Sequence, residues 1–475
     1  MNVNYYPAFI LMCGALMILI QLCFKRSHIT SYLISGLSLF LALLTQLFLQ
    51  NHADTSDVLF VLNAQTSFVS LLLLMVVGLI WAQLYHWLKT INEQKEEYYL
   101  LFLFTTIGGL IMVSSNHFAS FFLGLELMSL SFIGLIAYCG PDQKAQEAGI
   151  KYLILSALAS AFILMGAAIL YLQFGSLSFS NLLPNTSSQI LPPWAIITAI
   201  IFIFTGLFFK LSLVPCHLWV ADLFEGAPLV TAAMLATLSK LAAFIILWRL
   251  VTLGHWQQYP IIIDILSMVA IASMFIGNFL GLLQKNLLRL MAYSSIAHFG
   301  YLLIVLLLIN NNAIEFSSQS FNTQTLFFYL VAYLFTLVGV FSIFMQLPKI
   351  KTLDDLAGLF WHHPVIAITL MLLMLSLAGI PLTLGFMAKF YLVMAAVSQQ
   401  LWLVLSALVL SSIIGLFYYL RVIMAMLKTP ADELKLKEIN SSGSSLSLNI
   451  LILFLVIGFG VFPSSLSQFI QQISG

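Results

Sequence analysis

The sequence predicts an all-α polytopic membrane protein that crosses the bilayer about fourteen times. Three observations carry that expectation. Of its 475 residues 61% are hydrophobic and only 7% are charged, with a mean hydropathy of +1.06. A soluble domain averages about 25% charged residues, so a soluble fold is excluded. Apolar runs long enough to cross about 30 Å of hydrocarbon recur along the whole chain, and lysine and arginine gather in alternate connections between them.

The runs lie near 5–24, 30–49, 65–85, 99–115, 118–138, 148–173, 194–218, 228–250, 260–282, 292–309, 325–346, 363–397, 401–427 and 447–463. The first has no basic segment before it and no small-residue cleavage pattern after it, so a retained span is expected rather than a signal peptide. The run 363–397 is too long for one ordinary span. Gly379, Pro381 and Gly385 interrupt it, which points to one discontinuous helix. Taken in order, the odd-numbered connections carry Lys25 and Arg26, Lys89 and Lys95, Lys144, Lys285 and Arg289, Lys349 and Lys351, and finally Arg421, Lys428, Lys435 and Lys437; the seventh carries none. The even-numbered ones carry only Arg249. By the positive-inside rule the odd connections face the cytoplasm and both termini lie outside. The uncharged stretch 174–193, rich in Ser, Pro and Asn, fits an outer loop.

Two spans are interrupted at depth, by FKLSLVPCHLW (209–219) and by LAGIPLTLGFMAKFYL (377–392). Proline removes a backbone donor and frees a carbonyl, so the break must be lined by protein or water. These are the seventh and twelfth spans, five apart. Spans 4–8 begin inside and spans 9–13 begin outside, so two inverted five-helix repeats are expected, each with a discontinuous helix. The expected organisation is three N-terminal spans over 1–98, a first repeat over 99–250, a second, inverted repeat over 251–430, and a linker with the last span over 431–475. Ordinary proline kinks are the competing reading, because Lys210 precedes its proline whereas Lys389 follows its own.

Glu126, Lys210, Lys240 and Lys389 lie inside apolar runs. A charge at bilayer depth costs roughly 2.5–3.5 kcal/mol on insertion scales, and such residues mark ion or proton paths. Glu126 sits near the middle of FFLGLELMSLSFIGLIAY (121–138), and Lys210 is its natural counter-charge; a buried ion pair that merely holds helices together is the structural alternative. Lys240, in MLATLSKLAAFIILW (234–248), is too deep to snorkel. Burial disfavours the charged form of any ionisable group, which lets a lysine at that depth exchange a proton. Lys389 lies nearer the outer end, where snorkelling competes. Lys151, after QEAGI, reads as a relay group or a cytoplasmic flank. His217, just after the seventh-span break, and His298, in AYSSIAHFGYLL (292–303), add exchangeable links, although a lone histidine is more often a satisfied core residue. Asp222 and Glu225 read as solvated turn residues, and His362 and His363 as an interfacial flank.

The four cysteines, Cys13, Cys23, Cys139 and Cys216, show no metal-ligand spacing and read as buried free thiols. There is no GxGxxG, no P-loop, no cysteine cluster and no span-histidine pair for haem, so no redox cofactor and no metal are expected in this chain. A net charge of +1 gives no reason to expect nucleic acid.

KYLILSALASAFILMGAAILY (151–171), FKLSLVPCHLWVADLFEGAPLVTAAMLATLSKLAAF (209–244), NLLRLMAYSSIAHFGYLL (286–303) and LAGIPLTLGFMAKFYLV (377–393) together resemble the subunit N family of the bacterial proton-pumping NADH:quinone oxidoreductase, respiratory complex I. The resemblance covers nearly the whole chain and is weakest over 1–98 and 310–350. FKLSLVPCHLW followed by EGAP is similar to subunit N rather than to its paralogues L and M, and no long lateral helix of the kind expected of subunit L follows the last span. A cysteine stands at Cys216, where an aromatic residue is usual in the family.

The resemblance implies an antiporter-like fold of fourteen helices. It places the family's buried glutamate on Glu126, its buried lysines on Lys210, Lys240 and Lys389, and a further lysine on Lys151. It implies proton translocation coupled to electron transfer from NADH to quinone, with NADH, FMN, iron–sulfur clusters and quinone held by other subunits. Expected partners are the paralogous subunit M, the small subunits K and J, and membrane lipid. The expected location is the bacterial inner membrane, with both termini on the periplasmic side. The expected route runs from the Glu126–Lys210 pair to Lys240, through His298, to Lys389. A cation/proton antiporter subunit is the alternative function, and a purely structural membrane subunit is a third.

Overall fold

The computed structural model describes residues 6–49, 55–89, 94–138, 142–182, 192–308, 316–429 and 443–474. Cys139, Lys435, Lys437 and residues 183–191 of the predicted outer loop at 174–193 lie outside the described residues. The helices run α1 (Tyr6–Phe24), α2 (His28–Leu49), α3 (Ala64–Lys89), α4 (Glu96–Ser114), α5 (Phe118–Ile136), α6 (Gln143–Phe174), α7 (Pro193–Leu211), α8 (Leu218–Gly226), α9 (Leu229–Leu253), α10 (Pro260–Leu283), α11 (Leu287–Leu307), α12 (Phe316–Gln346), α13 (Leu359–His362), α14 (Pro364–Ala378), α15 (Leu384–Ser398), α16 (Trp402–Leu427), α17 (Gly443–Val461) and α18 (Pro463–Ser474). Between α2 and α3 a small antiparallel hairpin pairs β1 (Thr55–Ser56) with β2 (Val61–Leu62). Helix is the form an apolar chain takes in lipid, because it satisfies every backbone N–H and C=O within one segment.

Among the described residues twelve helices are long and apolar enough to cross a membrane. The interrupted run at 363–397 is split into α14 and α15, each too short alone, as its glycines and proline predict. Here Gly379 ends α14 in the left-handed region (φ 84), where its own N–H and that of Ile380 bond back to Leu375. Glycine takes that conformation without the Cβ penalty. The chain from α17 to α18 bends by 86°. The predicted seventh span, 194–218, stops earlier than expected. Helix α7 ends at Leu211, Ser212 turns left-handed, and the residues after the break restart as the separate helix α8.

The chain divides into two compact units: Met1–Ser212 with Gly226–Ile262, and Leu213–Glu225 with Ile263–Gly475. The division falls inside the seventh-span break, so α8 belongs to the second unit. Two features fasten it there. The Val214 N–H donates to Ser273 Oγ (3.0 Å), and Arg289 Nη1 binds both Asp222 (3.0 Å) and Glu225 (2.9 Å). Asp222 and Glu225 are therefore ion-paired residues of a helix, not the solvated turn residues expected from their Gly-Ala-Pro neighbourhood.

In the first unit α9 is the central helix, with 94% of its span buried, against 28% for α1 and 39% for α6. In the second unit α11 and α12 hold that place, each 94% buried. The peripheral helices turn their leucines and isoleucines outward, as a lipid-facing wall requires. Helices α6 and α7 approach closely because Gly166 and Gly206 carry no side chain at the crossing. A Cβ on Gly206 would stand 2.6 Å from the Ala159 carbonyl oxygen, and one on Gly166 would stand 2.5 Å from that of Ala199. Small residues at such crossings let backbones touch. The cysteine expectation needs correcting: among the described residues Cys13, Cys23 and Cys216 are free, but Cys23 is exposed and the other two are only half-buried. Cys23 lies near the end of α1, a helix largely open to its surroundings.

Candidate functional site

In the first unit the close α6–α7 crossing brings Lys210, 1% exposed at the end of α7, against α5 and α6. Its ammonium donates to Ser129 Oγ (2.6 Å) and Ser156 Oγ (2.7 Å) and lies 5.5 Å from the centre of the Tyr152 ring. Ser129 is one helical turn beyond Glu126 on α5. Ser160, one turn beyond Ser156 on α6, donates its hydroxyl to Glu126 Oε1. Side chains three and four residues apart share a helix face, so serines of α5 and α6 hold the carboxylate on one side and the ammonium on the other. Glu126 and Lys210 themselves make no ion pair within 4.0 Å. A direct pair is the simplest arrangement of one acid and one base; what forms is an ammonium and a carboxylate each held by hydroxyls. Glu126 is half-buried, and beside it opens a cavity of ≈ 890 Å³ walled by apolar side chains such as Phe122, Leu127 and Leu164.

Lys240 is 1% exposed on α9. It follows one wide turn, Leu235–Ser239, in which the helix takes an extra residue. Such turns occur within α-helices mostly at functional places. Lys151 stands apart from this buried set. Its side chain is 43% exposed and pairs with Glu147 on its own helix (2.7 Å).

In the second unit His298, on the central helix α11, lies between two phenols. Nδ1 is 2.8 Å from Tyr329 Oη and Nε2 is 3.2 Å from Tyr419 Oη, while Tyr419 in turn bonds to Ser294 Oγ (2.5 Å). Both ring nitrogens are thus engaged by groups that can donate or accept. Lys389, on α15, turns its ammonium to the carbonyls of Leu377 (3.2 Å) and Ala378 (2.9 Å), which the break after α14 leaves open. It also stands 5.2 Å from the centre of the Tyr301 ring. The snorkelling alternative for Lys389 gives way to this inward, hydrogen-bonded placement. Tyr301 continues inward, accepting from Asn278 Nδ2 (2.9 Å), and Asn278 Oδ1 accepts from Tyr418 (3.0 Å). His217, in the seventh-span break, is buried, with Nδ1 3.3 Å from the Pro215 carbonyl.

Neither charge nor motif marks Ser129, Ser156, Ser160, Tyr329 and Tyr419 in the sequence. The one signal there is spacing: Ser156 and Ser160 stand four apart, on the helix that follows the glutamate. Among the described residues no cluster of three or more His, Cys, Asp or Glu could hold a metal ion.

Residues 115–415 match the family model described as "NADH:quinone oxidoreductase/Mrp antiporter, TM". The chain is 51% identical over 476 residues to NADH-quinone oxidoreductase subunit N of Shewanella woodyi, covering all of both chains. This chain belongs to the NADH-quinone oxidoreductase subunit N family. Among solved structures, a chain of respiratory complex I from Thermus thermophilus superposes with a TM-score of 0.83 at 26% identity, over 97% of this chain and 98% of that one. The subunit N fold is wider than its family. A chain of the Mrp complex from Dietzia sp. matches with a TM-score of 0.84 at 17% identity, over 100% of this chain and 97% of that one. A chain of an archaeal membrane-bound sulfane sulfur reductase matches at 0.85 and 20% identity, over 100% and 97% respectively. At those identities the likeness is one of fold alone.

Proposed function

We propose that this chain is a membrane-arm subunit of NADH:quinone oxidoreductase that translocates protons across the membrane, coupled to electron transfer from NADH to quinone in other subunits. The observation that carries the reading is the placement of Glu126 and Lys210 in the first unit, the one held by Ser160 of α6 and the other by Ser129 of α5 and Ser156 of α6. A buried ammonium held only by neutral hydroxyls depends on nearby charge for its stability, because little solvent screens it. Glu126 is the charge at hand. While Glu126 is ionised, the Lys210 ammonium is favoured. When a neighbouring subunit draws that negative charge away or protonates it, Lys210 releases its proton.

The released proton passes to Lys240 in the same unit, and then to His298 and Lys389 in the second. His298, bonded on both ring nitrogens, can take a proton on one side and give one up on the other. Lys389 discharges at the carbonyl-lined break between α14 and α15. His217 serves at the seventh-span break. Lys151, half-exposed with Glu147, supplies protons at the cytoplasmic end. The two halves of the path correspond to inverted five-helix repeats over 99–250 and 251–430, flanked by 1–98 and 431–475. The apolar cavity beside Glu126 is the face through which a neighbouring membrane subunit acts; subunits M, K and J are the candidates. FMN, iron–sulfur clusters and quinone belong to other subunits. The complex sits in the bacterial inner membrane with this chain's termini on the periplasmic side.

The test is Lys240→Ala in the assembled complex, reconstituted in proteoliposomes, with protons moved per NADH oxidised as the readout. The ratio is expected to fall; an unchanged ratio would overturn the relay.

A further inference from the structure

A further buried cation stands outside that path. Arg249, 5% exposed near the end of α9, uses Nη1 to donate to the carbonyls of Val113 (3.1 Å) and Ser115 (2.6 Å) at the end of α4. Basic side chains commonly satisfy last-turn carbonyls in this way. Among the described residues its Nε and Nη2 bond to no protein group, and no carboxylate pairs with it. A buried charge left without a counter-charge is costly.

Arg249 forms part of the wall of a cavity of ≈ 300 Å³, separate from the one beside Glu126. Asn63, Gln65 and Thr66 at the start of α3, Asn116 after α4, Ser180 and Thr252 add polar groups to its wall, and none of its described lining residues is acidic. Asn116 is only 8% exposed. Its backbone is held on both sides, by the Leu59 carbonyl and the Phe179 N–H, yet its side-chain amide bonds to no group among the described residues. Asn63 spends its carbonyl on the Thr66 N–H (2.8 Å), which leaves its amide donors for the cavity. The cavity lies where α4 and α9 end and α3 begins, the level at which a spanning helix leaves hydrocarbon for headgroups.

We propose that this cavity is a phosphate-binding site, with Arg249 supplying the charge and the Asn116 and Asn63 amides supplying further donors. A guanidinium presents paired N–H groups that match a tetrahedral oxyanion, and the volume exceeds the need of a halide. The phosphate comes from a phospholipid headgroup or from free phosphate, and one experiment separates the two. The assembled complex is imaged by cryo-electron microscopy in nanodiscs of phosphatidylglycerol, and again in detergent with and without inorganic phosphate. Tetrahedral density against Arg249 and Asn116 that continues into acyl chains identifies a lipid. Isolated density that appears only with inorganic phosphate identifies the free ion.

Arg249→Gln is the obvious variant but also uncaps α4, so Asn116→Leu is the second. It leaves the backbone contacts in place and fills the cavity, and density is expected to be lost in every preparation. Water alone in the wild-type cavity, a neighbouring subunit's carboxylate against Arg249, or density that survives Asn116→Leu would overturn the site. The readout is bound density rather than pumping, so the fate of the proton relay does not decide it.

Discussion

Ser129 Oγ stands 2.6 Å from the Lys210 ammonium, one helical turn from Glu126 on the same helix. Any rotation of α5 that repositions Glu126 therefore also moves one of the two hydroxyls that hold Lys210. Hydrogen bonds to charged groups contribute about 1.5–3 kcal/mol each. The double variant Ser129→Ala, Ser156→Ala is expected to strip the ammonium of its partners and to lower protons moved per NADH severalfold, with the complex still assembled. Either single variant should do less. A double variant that pumps like the wild type would separate the serines from the function.

Gly379→Ala should disturb Lys389 without touching it chemically. The residue has φ 84, and an added Cβ would stand 2.8 Å from Lys389 Cδ. The left-handed backbone alone costs an alanine about 1–2 kcal/mol. The expected outcome is a lower thermal midpoint for the assembled complex together with weaker pumping. Equal values for variant and wild type would show that the ammonium does not need the carbonyls of Leu377 and Ala378.

Tyr329→Phe and Tyr419→Phe each remove one hydroxyl from His298 and leave the ring packing intact. A neutral hydrogen bond contributes about 1 kcal/mol, so the fold should survive. Pumping per NADH is expected to drop in each single variant and further in the pair, approaching His298→Ala. Proton uptake measured beside NADH oxidation in the same vesicles distinguishes a slowed relay from a poorly assembled complex.

Lys151 and Lys210 offer an internal comparison. Exposed ion pairs are worth about 0–1 kcal/mol, and Lys151 is half-exposed with Glu147 whereas Lys210 is enclosed. Lys151→Ala is expected to reduce pumping less than Lys210→Ala, most visibly at high pH on the cytoplasmic side, where proton supply limits. Equal losses would move Lys151 into the buried line itself.

Much of this is legible in the sequence. Lysines and a glutamate within apolar runs are conspicuous because each costs so much to insert, and Pro215, Gly379 and Pro381 marked both broken helices. The partners were not legible. Serine and tyrosine are ordinary in membrane helices, and what makes Ser156 or Tyr329 matter is which helix they face, a property of packing rather than of local pattern. Arg249 read as the flank of a span because its neighbours in sequence are apolar; its carbonyl partners lie more than a hundred residues earlier. Asp222 and Glu225 followed the same logic in reverse, since Arg289, the residue that pairs them, is distant in the chain.

The wide turn at Leu235–Ser239 gives Lys240 a direction that no substitution can restore once lost. An α-helix advances about 100° per residue, so one surplus residue rotates everything downstream by that angle relative to everything upstream. The lysine's bearing is set by a count, not by a side chain. Deleting a single alanine or leucine there would leave composition, apolarity and charge almost untouched and would still aim the amine at a different neighbour.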